Sequence, residues 1–361
     1  MSSAPRVGKI VLMQHGFVGS EGSFSGFQTT LLEETEEIVY IDCLSNRTGN
    51  VGPVSNQVYM TGSEKVALWM SNFADYYANA PKNKNIYIKT EFKNGVDSVE
   101  SQREELKMFI DGIKDLGYTR KFNLVGHSKG GLVNTEFTLK YPNEIDKLVS
   151  IHSPYGDSSA TSFVGEVLGM LPSSINPEII EGLENITSDD YLKGLRARWN
   201  LSSKKNDLYI VAGVAVKIDK TTLVEIGFDD GIEFLTGTQL VSDGVVFLKD
   251  QTGASEEEPL TIDSNNIRIY DRSYVYLGLP ELVNTDIISN LVEGVNINPI
   301  VDSVVGFVGN LTTAVFTAPE KILIGLSLLI NEWNPDIIPF HHMNTCDQPE
   351  TVRFTAFVLF D

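Results

Sequence analysis

Short apolar, β-branched runs recur through the first half of the chain, and each stops at residues able to do chemistry. Lys9 to Met13 runs out at His15-Gly16, Glu37 to Ile41 at Asp42, Phe122 to Val125 at Gly126, and Lys147 to Ile151 at His152. Ahead of the third run, Val99, Leu106, Phe109, Ile110, Ile113 and Leu116 form an apolar stripe at helical spacing. Asp97 opens that stripe with Glu100 three residues on, and Gly117 closes it. Strands alternating with amphipathic helices predict βαβ units, an α/β class with a mostly parallel central sheet flanked by helices. In such sheets the ligand crevice lies beyond the carboxyl ends of the strands, where these runs stop.

Beyond His152 the alternation degrades. Helical insertions are expected over residues 158–200 and 274–335, with strands at Leu208–Val216, Gly244–Phe247 and Ile267–Tyr270 between them. With no internal repeat and no low-complexity linker, residues 1–361 read as a single domain whose insertions form a cap or lid. Both insertions carry dense apolar runs, among them Phe163, Val164, Val167 and Leu168 in the first and Ile322, Leu323, Ile324 and Leu326 in the second. Over a reactive site they would form an acyl-binding tunnel or a lid that opens at lipid surfaces, and a plain cap core accounts for them equally well.

The most specific local pattern is Gly126-His127-Ser128-Lys129-Gly130, followed by Gly131. In a G-x-S-x-G the serine sits in a strained turn between strand and helix, and side chains two residues to either side would collide. The setting fits, because Phe122-Asn123-Leu124-Val125 reads as a buried strand. Leu132, Val133, Phe137 and Tyr141 then supply a helical face that ends at Pro142. A serine nucleophile needs two N–H donors for the oxyanion, one from the residue after it, here Lys129. The second is assigned to Phe17 in the loop His15-Gly16-Phe17-Val18-Gly19, with His15 bracing that loop.

Five histidines limit the choice of general base. His15 belongs to the loop, His127 to the turn, and His152 precedes any plausible acid, against the order Ser, Asp/Glu, His that accompanies this turn. His341 and His342 remain. The acid should follow a strand between serine and base, which suits Asp243 in Val241-Ser242-Asp243-Gly244; Asp229, Asp230, Asp263 and Asp271 compete with it.

With these residues in view the chain resembles the classical secreted bacterial lipases and related lipase-like α/β-hydrolases. The likeness runs from the H-G-x-x-G loop at His15 through Arg103, the Gly126–Gly131 turn, and Ile151-His152-Ser153-Pro154-Tyr155-Gly156-Asp157-Ser158. It continues in islands at Asp243-Gly244-Val245-Val246 and at His342-Met343-Asn344. The resemblance implies an α/β-hydrolase fold, a Ser128, Asp243 and His342 triad, His342 over His341, and ester hydrolysis without a cofactor. Relatives often carry a structural calcium. Asn344, Gln348 and Val352 fall at comparable offsets, but an asparagine replaces the family's aspartate, so calcium is allowed and not expected.

Charge narrows the partners. A formal net charge of −20, from 48 acidic against 28 basic residues, disfavours nucleic acid and anionic membranes. Cys43 and Cys346 permit at most one disulfide, and no C-x-x-C suggests zinc or redox chemistry. No stretch reads as a transmembrane span, and the start lacks a signal-peptide pattern, so a cytoplasmic protein is expected, or a secreted one already processed. The expected activity is a lipase or carboxylesterase acting through an acyl-enzyme on acyl lipids or medium-to-long-chain esters. A thioesterase or acyltransferase of the same fold, and a hydrolase-fold protein that binds without turnover, are the alternatives.

Overall fold

The computed structural model describes residues 8–16, 24, 26, 27, 29, 30, 38–42, 85–90, 92, 97–156, 188–219, 239–243, 246, 248–255, 257–276, 342 and 344–360. They fall into two units. The first comprises Met1–Ala212, Lys249–Ile269 and Thr345–Asp361, and the second Gly213–Leu248 and Tyr270–Asn344.

The first unit is built on strands β1 (Ile10–Gln14), β2 (Ile38–Asp42), β3 (Asn85–Thr90), β4 (Phe122–His127), β5 (Ile145–Ile151) and β6 (Leu208–Asp219), the last as far as Ala212. They lie in the order β2-β3-β1-β4-β5-β6, with every neighbouring pair parallel. Register sets the strand ends level: Gln14 pairs with Thr90 on one side and Gly126 on the other, and Gly126 pairs with Ser150. The loops after β1, β4 and β5 therefore leave the sheet side by side. The sequence pattern does not single out β3, since Lys89 and Thr90 end it with polar residues, yet both are buried.

Helix α1 (Val99–Asp115) turns Leu106, Phe109, Ile110 and Ile113 inward, none more than 1% exposed, each worth about 1.5–3 kcal/mol of burial. Its N-cap is Ser98, whose hydroxyl accepts from Ser101 N–H at 3.1 Å, so the expected Asp97 cap is displaced by one residue. A hydroxyl one position later reaches the same orphan donors. Gly117 follows the helix at φ +94°, the left-handed conformation that ends it.

Helix α2 (Lys129–Lys140) begins at the turn after β4, and α3 is Asp189–Leu201. Of the insertion expected over 158–200, only its C-terminal part is described. There Leu192, Leu195 and Trp199 of α3 are at most 1% exposed within the first unit. The insertion expected over 274–335 lies outside the described residues, apart from the end of β8 (Ile267–Tyr276), a strand that pairs with β6. Helix α4 (Pro349–Phe360), absent from the sequence reading, opens with proline at its first position, where a missing N–H costs nothing. The Leu359 carbonyl accepts from Asn123 Nδ2 at 3.0 Å and Lys9 Nζ at 3.2 Å.

In the second unit, β6 from Gly213 onward pairs antiparallel with β7 (Gln239–Ser242), Val216 facing Ser242. Of the strand expected at Gly244–Phe247, only Val246 is among the described residues. Val246 instead closes a turn: its N–H donates to Asp243 Oδ1 at 2.6 Å, and Asp243 N–H donates to Val246 O at 3.1 Å. An aspartate that caps its own downstream backbone offers the chain an alternative to the ladder.

Candidate active site

Ser128 stands between β4 and α2 at φ 54°, ψ −125°, a conformation that costs a non-glycine residue about 1–3 kcal/mol. Its surroundings hold it there. Ser128 N–H donates to Ile151 O at 2.9 Å, and Gly131 N–H donates to Ser128 O at 3.0 Å. The glycines are required by contact: a Cβ on Gly126 would lie 2.4 Å from Gly131 N, and one on Gly130 2.3 Å from Gln14 O.

The loop after β1 reaches the same point. A Cβ on Gly16 would lie 2.8 Å from Ser128 Cβ and 3.3 Å from both Ser128 Oγ and His127 Nδ1, so backbone alone fits against the serine. His15, 2% exposed, directs Nδ1 to Gly16 O at 2.8 Å and sets its ring edge-on to Phe92 at 5.7 Å. A carbonyl only accepts, so Nδ1 carries the proton and ties the ring to the loop backbone. Lys129 is the first residue of α2, where the leading N–H groups have no intrahelical acceptor. Phe17 lies outside the described residues.

In the second unit, His342 Nδ1 lies 2.8 Å from Asp243 Oδ2, with Asp243 fully buried and His342 5% exposed. The backbone repeats the link, since His342 N–H donates to Asp243 O at 2.9 Å. The carboxylate accepts from Val246 N–H through its other oxygen, which compensates a buried negative charge. Held by Asp243, the imidazole keeps its proton on Nδ1 and leaves Nε2 as the basic nitrogen. Among the competing acids, Asp263 caps a turn through Asn265 N–H at 2.9 Å, and Asp271 is exposed. Asp229, Asp230 and His341 lie outside the described residues. Asn344 belongs to the second unit and Gln348 to the first, where Gln348 O accepts from Val352 N–H at 3.2 Å; two neutral amides bring no formal charge to a calcium ion.

Residues to which the sequence pattern assigns no chemical role support the serine turn. A Cβ on Gly131 would lie 2.0 Å from Ser153 Oγ and 2.2 Å from Ser150 Oγ. These hydroxyls bond each other at 2.7 Å, and Tyr155 OH joins Ser150 Oγ and Thr135 Oγ1, each at 2.9 Å. Burial pushes the Tyr155 phenol up to about 12, so it stays a neutral donor. Arg196 of α3, 1% exposed, donates to Tyr155 O at 2.7 Å and to Glu258 O at 2.6 Å. Only the Ser153 to Gly156 portion of the matched motif hinted at this layer. Arg103 pairs with Glu104 at 3.0 Å and approaches buried Glu136 at 3.8 Å, the carboxylate that Arg198 of α3 grips with both nitrogens.

A family model described as alpha/beta hydrolase of unknown function (DUF915) matches residues 72–168, a stretch containing β3, α1, β4, the serine turn, α2 and β5. Among solved structures, the product of gene lin2722 from Listeria innocua is 16% identical, covering 73% of this chain and 85% of that one at a TM-score of 0.36. The mature Bacillus licheniformis lipase BlEst2 is 12% identical, covering 79% and 92% at 0.36. The Paleococcus ferrophilus monoacylglycerol lipase is 13% identical, covering 75% and 88% at 0.35. Likenesses this weak add nothing to a functional argument. Strand order, the serine turn and the family match agree on an α/β-hydrolase fold. Among the described residues no helix is long and apolar enough to cross a membrane.

Proposed function

We propose that this α/β-hydrolase-fold protein is a serine hydrolase of carboxylic esters, with Ser128 as nucleophile, His342 as general base and Asp243 as its orienting acid. The observation that carries the reading is the Ser128 turn: a nucleophile in a costly conformation, at the start of a helix, with the Gly16 backbone against its side chain. Strain of that kind persists where the surroundings over-determine it, as at reactive sites.

In the proposed reaction His342 takes the Ser128 proton as Oγ attacks the ester carbonyl. The backbone N–H groups of Lys129 and Phe17 receive the oxyanion, and collapse expels the alcohol, protonated by His342. Water, activated by the same histidine, then releases the acid from the acyl-enzyme. The Asp243–His342 hydrogen bond supports these roles by leaving Nε2 free of the retained proton. Acyl lipids are the proposed substrate class, supported by the apolar runs around Phe163–Leu171 and Ile322–Ile330.

The test is turnover of a p-nitrophenyl ester series from acetate to palmitate by wild type and Ser128→Ala, with fluorophosphonate labelling in parallel. Activity lost in Ser128→Ala, with label on Ser128, is the expected result, and the chain-length optimum separates esterase from lipase. Wild type that neither turns over nor takes the label would overturn the reading.

A further inference from the structure

The side chain of Lys129 is 1% exposed, and its ammonium donates to the carbonyl oxygen of Asp97, the residue before the N-cap of α1. This is a costly place for a lysine. Burial pulls its pKa down to about 8, with the Asp97 carboxylate opposing that fall. The charge also belongs to the first residue of α2, at the positive end of a helix, where a cation is disfavoured. Methionine has a similar length and would fill the space with neither penalty.

What a cation gains there is a field. The backbone N–H of the same residue is the expected oxyanion donor, and negative charge that develops in a buried site responds strongly to nearby positive charge. Resting on the serine-hydrolase reading above, we propose that the Lys129 side chain is a positioning residue of the serine site. Its ammonium ties the first turn of α2 to the start of α1 and adds positive potential behind the oxyanion donor, at the expense of stability. Nothing in the G-x-S-x-G pattern itself asks for a lysine at this position.

Stability and catalysis should therefore move in opposite directions. The full chain is compared as wild type, Lys129→Met, Lys129→Gln and Lys129→Arg, by p-nitrophenyl butyrate kinetics and thermal unfolding at pH 7. Lys129→Met is expected to melt at or above the wild-type temperature while kcat falls about tenfold and KM stays within about twofold, a smaller loss than removal of a direct oxyanion donor. Lys129→Gln, which keeps a donor without the charge, should follow it, and Lys129→Arg should recover most of the rate.

A kcat within about twofold of wild type in the uncharged variants would overturn the inference, as would a melting temperature that falls together with kcat, the mark of a mere brace. Should Lys129→Met fail to fold, Lys129→Gln against Lys129→Arg decides by the same criteria. An active, labelled wild type with indifferent Lys129 variants sinks this inference alone. An inactive, unlabelled wild type sinks the hydrolase reading and this inference with it.

Discussion

Asp243 holds His342 twice, through a 2.8 Å contact from Oδ2 to the imidazole Nδ1 and a 2.9 Å hydrogen bond from its carbonyl to the histidine N–H. The backbone link survives any change of side chain, so the ring's tautomer can be altered without moving the chain that carries it. Asp243→Asn should therefore fold normally and lower kcat by about 10³- to 10⁴-fold with KM little changed. Steady-state kinetics beside a thermal melt would show it, and a loss under tenfold would remove Asp243 from its assigned role.

Two glycines on neighbouring helices should respond to alanine with opposite signs. At Gly130 the new methyl would meet backbone, Gln14 O at 2.3 Å and His15 O at 2.7 Å, neither of which can swing aside. Gly130→Ala should cost about 3 kcal/mol and lose activity with it. Gly194, inside α3, has nothing within 4 Å of that position, so Gly194→Ala should gain about 0.5–1 kcal/mol from helix propensity. Urea unfolding of both variants is the measurement.

Glu136, on the helix that starts at the nucleophile, is 3% exposed at its side chain and is gripped by Arg198 of α3, itself about half exposed. Arg198→Ala leaves the carboxylate facing Arg103 at 3.8 Å. The expected cost is about 2 kcal/mol, below that of breaking a fully buried pair because Arg198 is partly solvated and Arg103 remains. Glu136→Gln in the Arg198→Ala background should recover part of it, since no charge is then stranded. A double-mutant cycle without coupling would contradict the assignment.

Lys129 predicts a pH dependence of stability. Its pKa is about 8 in the folded protein, below the 10.5 of a free lysine side chain, so burial penalises the charged form below about pH 8. Between those values the unfolded chain keeps its proton while the folded one releases it, so stability rises with pH across that window. Relative to Lys129→Met, wild type should be less stable at pH 7 and close the gap by up to about 3 kcal/mol by pH 10.5. Parallel stability curves for the two proteins would refute it.

Much of the first unit was legible because its signals are local. The stripe from Val99 to Ile113 requires only neighbours three and four residues apart, and its inward residues are buried as the spacing predicts. Gly126, Ser128 and Gly130 announce a strand-turn-helix by their spacing alone, although only Gly126 is crowded by its own turn, at Gly130 and Gly131, while Gly130 is crowded by the distant Gln14 and His15 carbonyls. Strand β3 escaped notice because its polar end, Lys89 and Thr90, is buried by neighbours far away in sequence. The Ser98 cap is another local matter, decided by which of two adjacent side chains reached the first free N–H groups.

The amino-acid sequence by itself determined the alternating architecture, the serine turn and a short list of acids and bases, since each depends on patterns a few residues long. Tertiary structure decided which acid meets which base. Asp243 and His342 stand 99 residues apart, and their contact depends on a turn built by Asp243 with Val246. It likewise placed Gly16 against Ser128, seated Ser150, Ser153 and Tyr155 beneath the turn, and buried the ammonium of Lys129. Such contacts follow from strand register and close packing, which no local periodicity encodes.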